Sequence, residues 1–108
     1  MLKVLDGAGR FTSGDEPNDY VEHLRNVSMS VGTYCIPAGG VDDQTPHTED
    51  EIYVVVGGRA KIVGGGDSAG LSPGSVVFVP AGEEHRFVEI TEDLTALVFF
   101  APAEGSRS

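Results

Sequence analysis

The stretch GSVVFVPAGEEH, residues 74–85, decides the fold class. Val76 to Val79 is a short apolar run rich in β-branched side chains, suited to a buried strand. Pro80-Ala81-Gly82 then reverses the chain, because proline cannot extend a central strand and glycine accepts turn geometry. His85 opens the next segment, where alternation to Ile90 predicts another strand. The opening residue of a strand lies at the mouth of a barrel or just inside it, where a polar side chain can meet a ligand.

The same punctuation recurs on both sides. Tyr20 to Leu24 predicts a short strand, and Val27 to Ile36 a longer one ended by Pro37-Ala38-Gly39-Gly40. Ile52 to Val56 is an almost pure β-branched run, with Gly57-Gly58 read as a tight turn and Arg59 to Val63 as its hairpin partner. Gly64-Gly65-Gly66-Asp67 reads as a further turn, and Leu94 to Ala101 as a last apolar strand. Residues 7–19 are polar and glycine-rich and predict a loop; residues 102–108 predict a disordered, flexible tail. No segment carries an apolar stripe at helical spacing. The expectation is one all-β domain over residues 1–108, a sandwich or barrel.

Composition narrows the function classes. Seventeen acids against seven bases give a net charge of −10, which repels phosphate backbones and anionic lipid, so no nucleic-acid or membrane partner is expected. No run approaches the roughly 20 apolar residues of a membrane span, and no signal peptide is recognised, so a cytoplasmic location is expected. The single cysteine, Cys35, excludes an internal disulfide and reads as a buried inert thiol.

His47 precedes Glu51 by four residues. On a straight strand they would share a face yet lie about 13 Å apart, too far to share an ion. The β-branched run 52–56 argues against a helix, so a shared ion requires the chain to turn at Thr48-Glu49-Asp50, with His47 ending one strand and Glu51 beginning the next. Glu49 and Asp50 read as a solvated turn, as do Glu83 and Glu84. His23 reads as a surface residue. Tyr53 and Phe87 share parity with Glu51 and His85 and are candidate pocket walls, Tyr53 chiefly as packing with its hydroxyl at an edge. Gly64-Gly65-Gly66 lacks the Lys-Ser/Thr and helix of a phosphate loop.

These segments resemble the two motifs of the cupin superfamily. Against G-x5-H-x-H-x3,4-E-x6-G, read from Gly39, the chain has Thr45 at the first histidine, then His47, Glu51 and Gly58 in place. Against G-x5-P-x-G-x2-H-x3-N, read from Gly74, it has Pro80, Gly82 and His85, with Glu89 where asparagine is usual. The resemblance implies a jelly-roll cupin barrel, a double-stranded β-helix, of the small single-domain bacterial type. It implies a homodimer and one divalent transition metal held by His47, Glu51 and His85. Thr45 is too short to replace an imidazole. Gln44 is preferred as the stand-in although strand parity points it the other way; Asp43 is the alternative.

Two imidazoles and one carboxylate leave open positions on an octahedral ion, which favours Fe(II) and a non-heme dioxygenase, an oxidoreductase acting on a small molecule. Mn, Ni, Cu or Zn are also compatible. The alternatives are a Mn-, Ni- or Zn-dependent isomerase or lyase using the ion as a Lewis acid, and a non-catalytic small-ligand-binding module.

Overall fold

The computed structural model describes residues 1–106, and these form six strands and no helix. They are β1 (Asp19–Arg25), β2 (Ser30–Ile36), β3 (Asp50–Gly64), β4 (Asp67–Leu71), β5 (Val76–Val79) and β6 (His85–Ala101). All pairings are antiparallel, in the order β1-β2-β6-β3-β4. β5 joins the first part of β3, and β4 joins its last part.

Two strands are far longer than their alternation suggests, and the reason is bulges. Along β3 the buried positions are Glu51, Tyr53 and Val55, then Ala60 and Ile62, so the inward parity switches at Gly57-Gly58. That switch is what looks like a hairpin turn in the sequence. The chain instead continues in the same direction, with register shifts against β6 on both sides of Gly57. The hairpin lies one turn later, at Gly64–Asp67, where residues 60–64 have β4 as their hairpin partner and residues 61–64 pair with β6 on the other side. β6 behaves alike: His85 and Phe87 face inward, then Ile90, Leu94, Ala96, Val98 and Phe100. Its parity changes at Glu89, which adopts a φ of +50°. Asparagine tolerates that left-handed conformation better than most residues, which explains the motif's usual residue on backbone grounds.

The inward side chains pack into one core that includes Tyr34, Ile36, Val55, Ile62, Phe87 and Leu94. β2 is buried on both faces. Its outer residues Thr33 and Cys35 are covered by the N-terminal segment, where Gly9 N donates to Thr33 Oγ1 (2.9 Å) and Thr12 N to Cys35 Sγ (3.4 Å). His23, read as a surface residue, is half-buried with Nε2 2.6 Å from Thr33 Oγ1. Residues 102–106 also depart from the expected flexible tail. Ala103 is buried, Glu104 N donates to Ser30 Oγ (2.9 Å) and Gly105 N to Glu49 Oε1 (2.8 Å). Composition misses this because the anchoring is through backbone amides. The same anchoring removes Glu49 from the solvated turn expected of it: it is buried, with the Thr48 hydroxyl and the Gly105 amide as its donors. Residues 107 and 108 of the expected tail lie outside the described residues.

On the outside, the cross-strand rows Phe78–Ile52–Phe99 and Val76–Val54–Leu97 form an apolar surface over β5, β3 and β6. Phe78 is 60% exposed and Val76 66%.

Gly58 shows why one motif glycine is required. Its φ is +89°, and a Cβ there would overlap the backbone carbonyl of Asp93 on β6. Gly58→Ala is expected to lower stability by about 3 kcal/mol or more, strain and overlap together. Gly66→Ala, at φ +83° with open space around it, should cost only about 1 kcal/mol. Urea unfolding midpoints of the two variants measure the difference; equal losses would contradict the close approach.

Candidate metal centre

The two motif segments are joined by backbone amides of the second. Gly82 N donates to the His47 carbonyl (2.7 Å), and Ala81 N to Asp50 Oδ1 (2.9 Å). The Pro80-Ala81-Gly82 turn is thereby pinned to residues 47–50, which carries His85 to the side of β3 that presents Glu51. His47 lies in the loop before β3 rather than at the end of a strand, so the chain does turn between it and Glu51.

Four expected ligands and one tyrosine form a continuous chain of contacts. His47 Nε2 lies 3.2 Å from Gln44 Oε1, which accepts from Tyr53 Oη at 3.0 Å. Tyr53 Oη is 3.0 Å from His85 Nε2, and His85 Nε2 is 3.0 Å from Glu51 Oε1. The His47 and His85 ring centres are 6.1 Å apart, and His47 is packed edge-on to Phe100 at 4.8 Å. Tyr53 does pack in the core, edge-on to Phe87 at 4.8 Å, but its hydroxyl is not at an edge: the residue is 1% exposed and its oxygen is central to the cluster. Its parity with Glu51 is the sequence signal for that position. Among the described residues, no group of three or more His, Cys, Asp or Glu side chains is arranged as it would be around an ion. Tyr53 and Gln44 stand between the imidazoles instead.

Gln44 faces the cluster, whereas Thr45 is exposed and Asp43 is tied to Asn18 at 2.8 Å. The parity objection does not apply, because residues 41–47 form no strand. The cause is Asp42, a residue that motif spacing does not flag. Its buried carboxylate accepts from Tyr34 Oη (2.7 Å), Gln44 N (3.3 Å), Gln44 Nε2 (2.7 Å) and Phe87 N (2.8 Å). A carboxylate can only accept here, so it selects the amide rotamer that turns Gln44 Oε1 toward Tyr53 and His47. Each of those donors left unpaired in the interior would cost about 1–3 kcal/mol.

The proton arrangement follows from the acceptors. His85 Nδ1 is 3.0 Å from the Glu83 carbonyl and must donate to it. Tyr53 spends its one proton on Gln44. Glu51 Oε1 therefore faces a ring nitrogen that repels it unless that nitrogen carries a cation. In the metal-free chain a proton held between the two meets that need. Burial works against the charged imidazole, but hydrogen bonding to Glu51 and to the Glu83 carbonyl outweighs it and raises the His85 pKa above its ordinary 6.5. Tyr53 is held well above its ordinary range, first by burial and then by the Glu51 charge, so it remains a neutral phenol that donates.

The donor types suit a metal ion. Two imidazole nitrogens, a carboxylate and an amide oxygen lie along one chain of contacts, and among the described residues Glu51 Oε2 is buried with no hydrogen-bond partner. His85 Nδ1 on a carbonyl, and His47 Nδ1 3.4 Å from Glu104 Oε2, are the outer contacts that orient ligating imidazoles with Nε2 inward.

Comparison with known proteins agrees with this architecture. The chain belongs to the cupin family: the family model described as "Cupin domain" matches residues 32–101. An uncharacterized protein of Streptomyces coelicolor, SCO3923, is 51% identical over 85 residues, which is 79% of this chain and 81% of that protein. The crystal structure of TT1209 from Thermus thermophilus superposes with a TM-score of 0.75, with 25% identity, covering 94% of this chain and 97% of that one. The DMSP lyase DddQ from Ruegeria pomeroyi gives 0.74 at 22% identity, covering 93% of this chain and 54% of the lyase. With no helix in the described residues, no helix is long and apolar enough to cross a membrane.

The raised pKa of His85 makes a signed prediction for the metal-free protein. Its contact with Glu51 contributes fully to stability below pH 6.5 and loses that contribution as pH rises through the higher value in the fold. The stability difference between wild type and His85→Gln, from urea unfolding, should therefore shrink from slightly acid to alkaline pH. A difference that stays flat or grows would contradict the protonated pair.

Proposed function

We propose that this chain binds one divalent transition metal through His47, Glu51 and His85, with Gln44 as fourth ligand, and is a small-molecule metalloenzyme of the non-heme dioxygenase type. The observation that carries the reading is the buried Glu51–His85 contact, two electron-pair donors 3.0 Å apart that demand a cation between or upon them. Two histidines and a carboxylate favour Fe(II) over Mn, Ni, Cu or Zn. When bound, the ion supplies open coordination positions and, if iron, one-electron redox chemistry. The chain's own residues do the rest. Asp42 holds Gln44 in place, Phe100 packs against His47, and Tyr53 keeps a proton at Oη beside both Gln44 and His85.

A second reading, a lyase or isomerase using the ion as a Lewis acid, is favoured by Tyr53, a buried proton donor aimed at the cluster. The likeness to the DMSP lyase, at 22% identity, contributes the fold alone to this reading. Purified protein reconstituted anaerobically with Fe(II) is expected to hold one ion per chain by elemental analysis and to take up oxygen with a diketone, thiol or phenolic substrate. His85→Ala should lose the ion, with affinity at least about 100-fold weaker. Turnover without oxygen that falls in Tyr53→Phe at unchanged metal content selects the lyase or isomerase. Sub-stoichiometric metal after reconstitution would leave a non-catalytic binding module and overturn both.

The apolar rows over β5, β3 and β6 support a homodimer, since an exposed strand face of this kind invites pairing with a second copy. Light scattering is expected to give twice the chain mass; a monomer mass at micromolar concentration would refute it. The chain is proposed to work in the cytoplasm, where the buried free thiol of Cys35 stays reduced.

A further inference from the structure

A cavity of about 200 Å³ opens beside His47, Gln44 and Tyr53. At about 30 Å³ for each water-sized group it takes roughly seven of them, a small organic molecule. Its walls are aromatic: Tyr20, Tyr34, Tyr53 and Phe100 line it. Its charged groups among the described residues are acidic: Asp43 and Glu104 contribute carboxylates, and no described lysine or arginine lines it. Arg25 reaches the Glu104 carbonyl oxygen at 2.8 Å, but its charge is paired with Glu22 at 2.8 Å and is exposed.

One further group is unsatisfied. Tyr20 is one of the lining residues, and among the described residues its buried hydroxyl has no hydrogen-bond partner. That hydroxyl rests over Gly32 of β2, where any Cβ would overlap it. Burial and the Glu104 charge keep it a neutral phenol, able to accept from an N–H or donate to a lone pair.

From this lining we infer that the cavity selects a small compound with a protonated nitrogen on an apolar body over carboxylates and phosphates of the same size. Aromatic faces attract a cation through their quadrupoles, and carboxylates at the same opening add to that attraction. An anion meets the opposite field, and none of the described lining residues offers it a fixed positive charge. The inference rests on the reading of this cavity as the substrate chamber of the proposed metal centre.

The test uses three ligands of matched shape, benzylamine, benzyl alcohol and benzoate, on the full chain as purified, with metal content measured in the same sample. The readout is the NMR shift of the tyrosine rings: the chain has three tyrosines, and all three line this cavity. Benzylamine is expected to bind about tenfold more tightly than benzyl alcohol, and benzoate more weakly than either. In Asp43→Asn/Glu104→Gln the amine preference should fall to about threefold or less, and added salt should weaken it in the wild type. Should the double variant fail to fold, Asp43→Asn alone is expected to show a partial loss. Benzoate binding as tightly as benzylamine, or no ring shift with any of the three, overturns the inference. Amine selectivity in a sample that takes up no metal sustains it while refuting the metal centre; a metal-loaded sample that prefers benzoate does the reverse.

Discussion

The contact between Glu51 and His85 constrains everything around it. Both side chains are almost wholly out of water, and the closest approach is between atoms that each carry an electron pair. In a low-dielectric interior such a contact persists only when a proton or a metal ion joins the two. A proton on His85 meets that demand in the metal-free chain. The proposed metal ion would meet it in the same place, held by His85 and Glu51 with His47 and Gln44. Proton and proposed metal would thus be alternatives for one electrostatic role, and the neighbours that orient the imidazoles would serve both.

The scaffold around that contact is built from tethers between segments distant in sequence. Asp42 draws β2, the loop before β3 and β6 onto a single carboxylate, through Tyr34, Gln44 and Phe87. The Pro80-Ala81-Gly82 turn is fastened to His47 and Asp50 by backbone amides. Glu49 fastens the segment after β6 to the start of β3, and this segment supplies Glu104 to the cavity beside His47. The site's positions are therefore set by hydrogen-bonded loops resting on bulged strands. The wide separation of its residues along the chain is repaired by these few bonds.

Much of this is legible in the sequence. The even spacing of Glu51, Tyr53 and Val55 against Ile52, Val54 and Val56 correctly separates the inner from the outer face of β3. The positions of Gly58, Pro80, Gly82 and His85 identify the barrel. What the sequence hides is where alternation breaks without the chain turning. Gly57-Gly58 and Glu89 are bulges that shift parity inside one strand, and a local pattern cannot distinguish a bulge from a hairpin. It also hides roles set by hydrogen bonds across the fold. Asp42 and Glu49 look like ordinary surface acids until Phe87 N and Gly105 N are brought to them. Gln44 points inward because Asp42 holds it, a reason that neither strand parity nor motif spacing contains.

X-ray absorption at the metal edge of the reconstituted protein addresses the central claim most directly. The expected spectrum is that of one ion with two imidazole nitrogens and the remaining neighbours oxygen, with one imidazole fewer in His47→Ala. A spectrum without imidazole scattering, or one unchanged by that substitution, would contradict the shared centre.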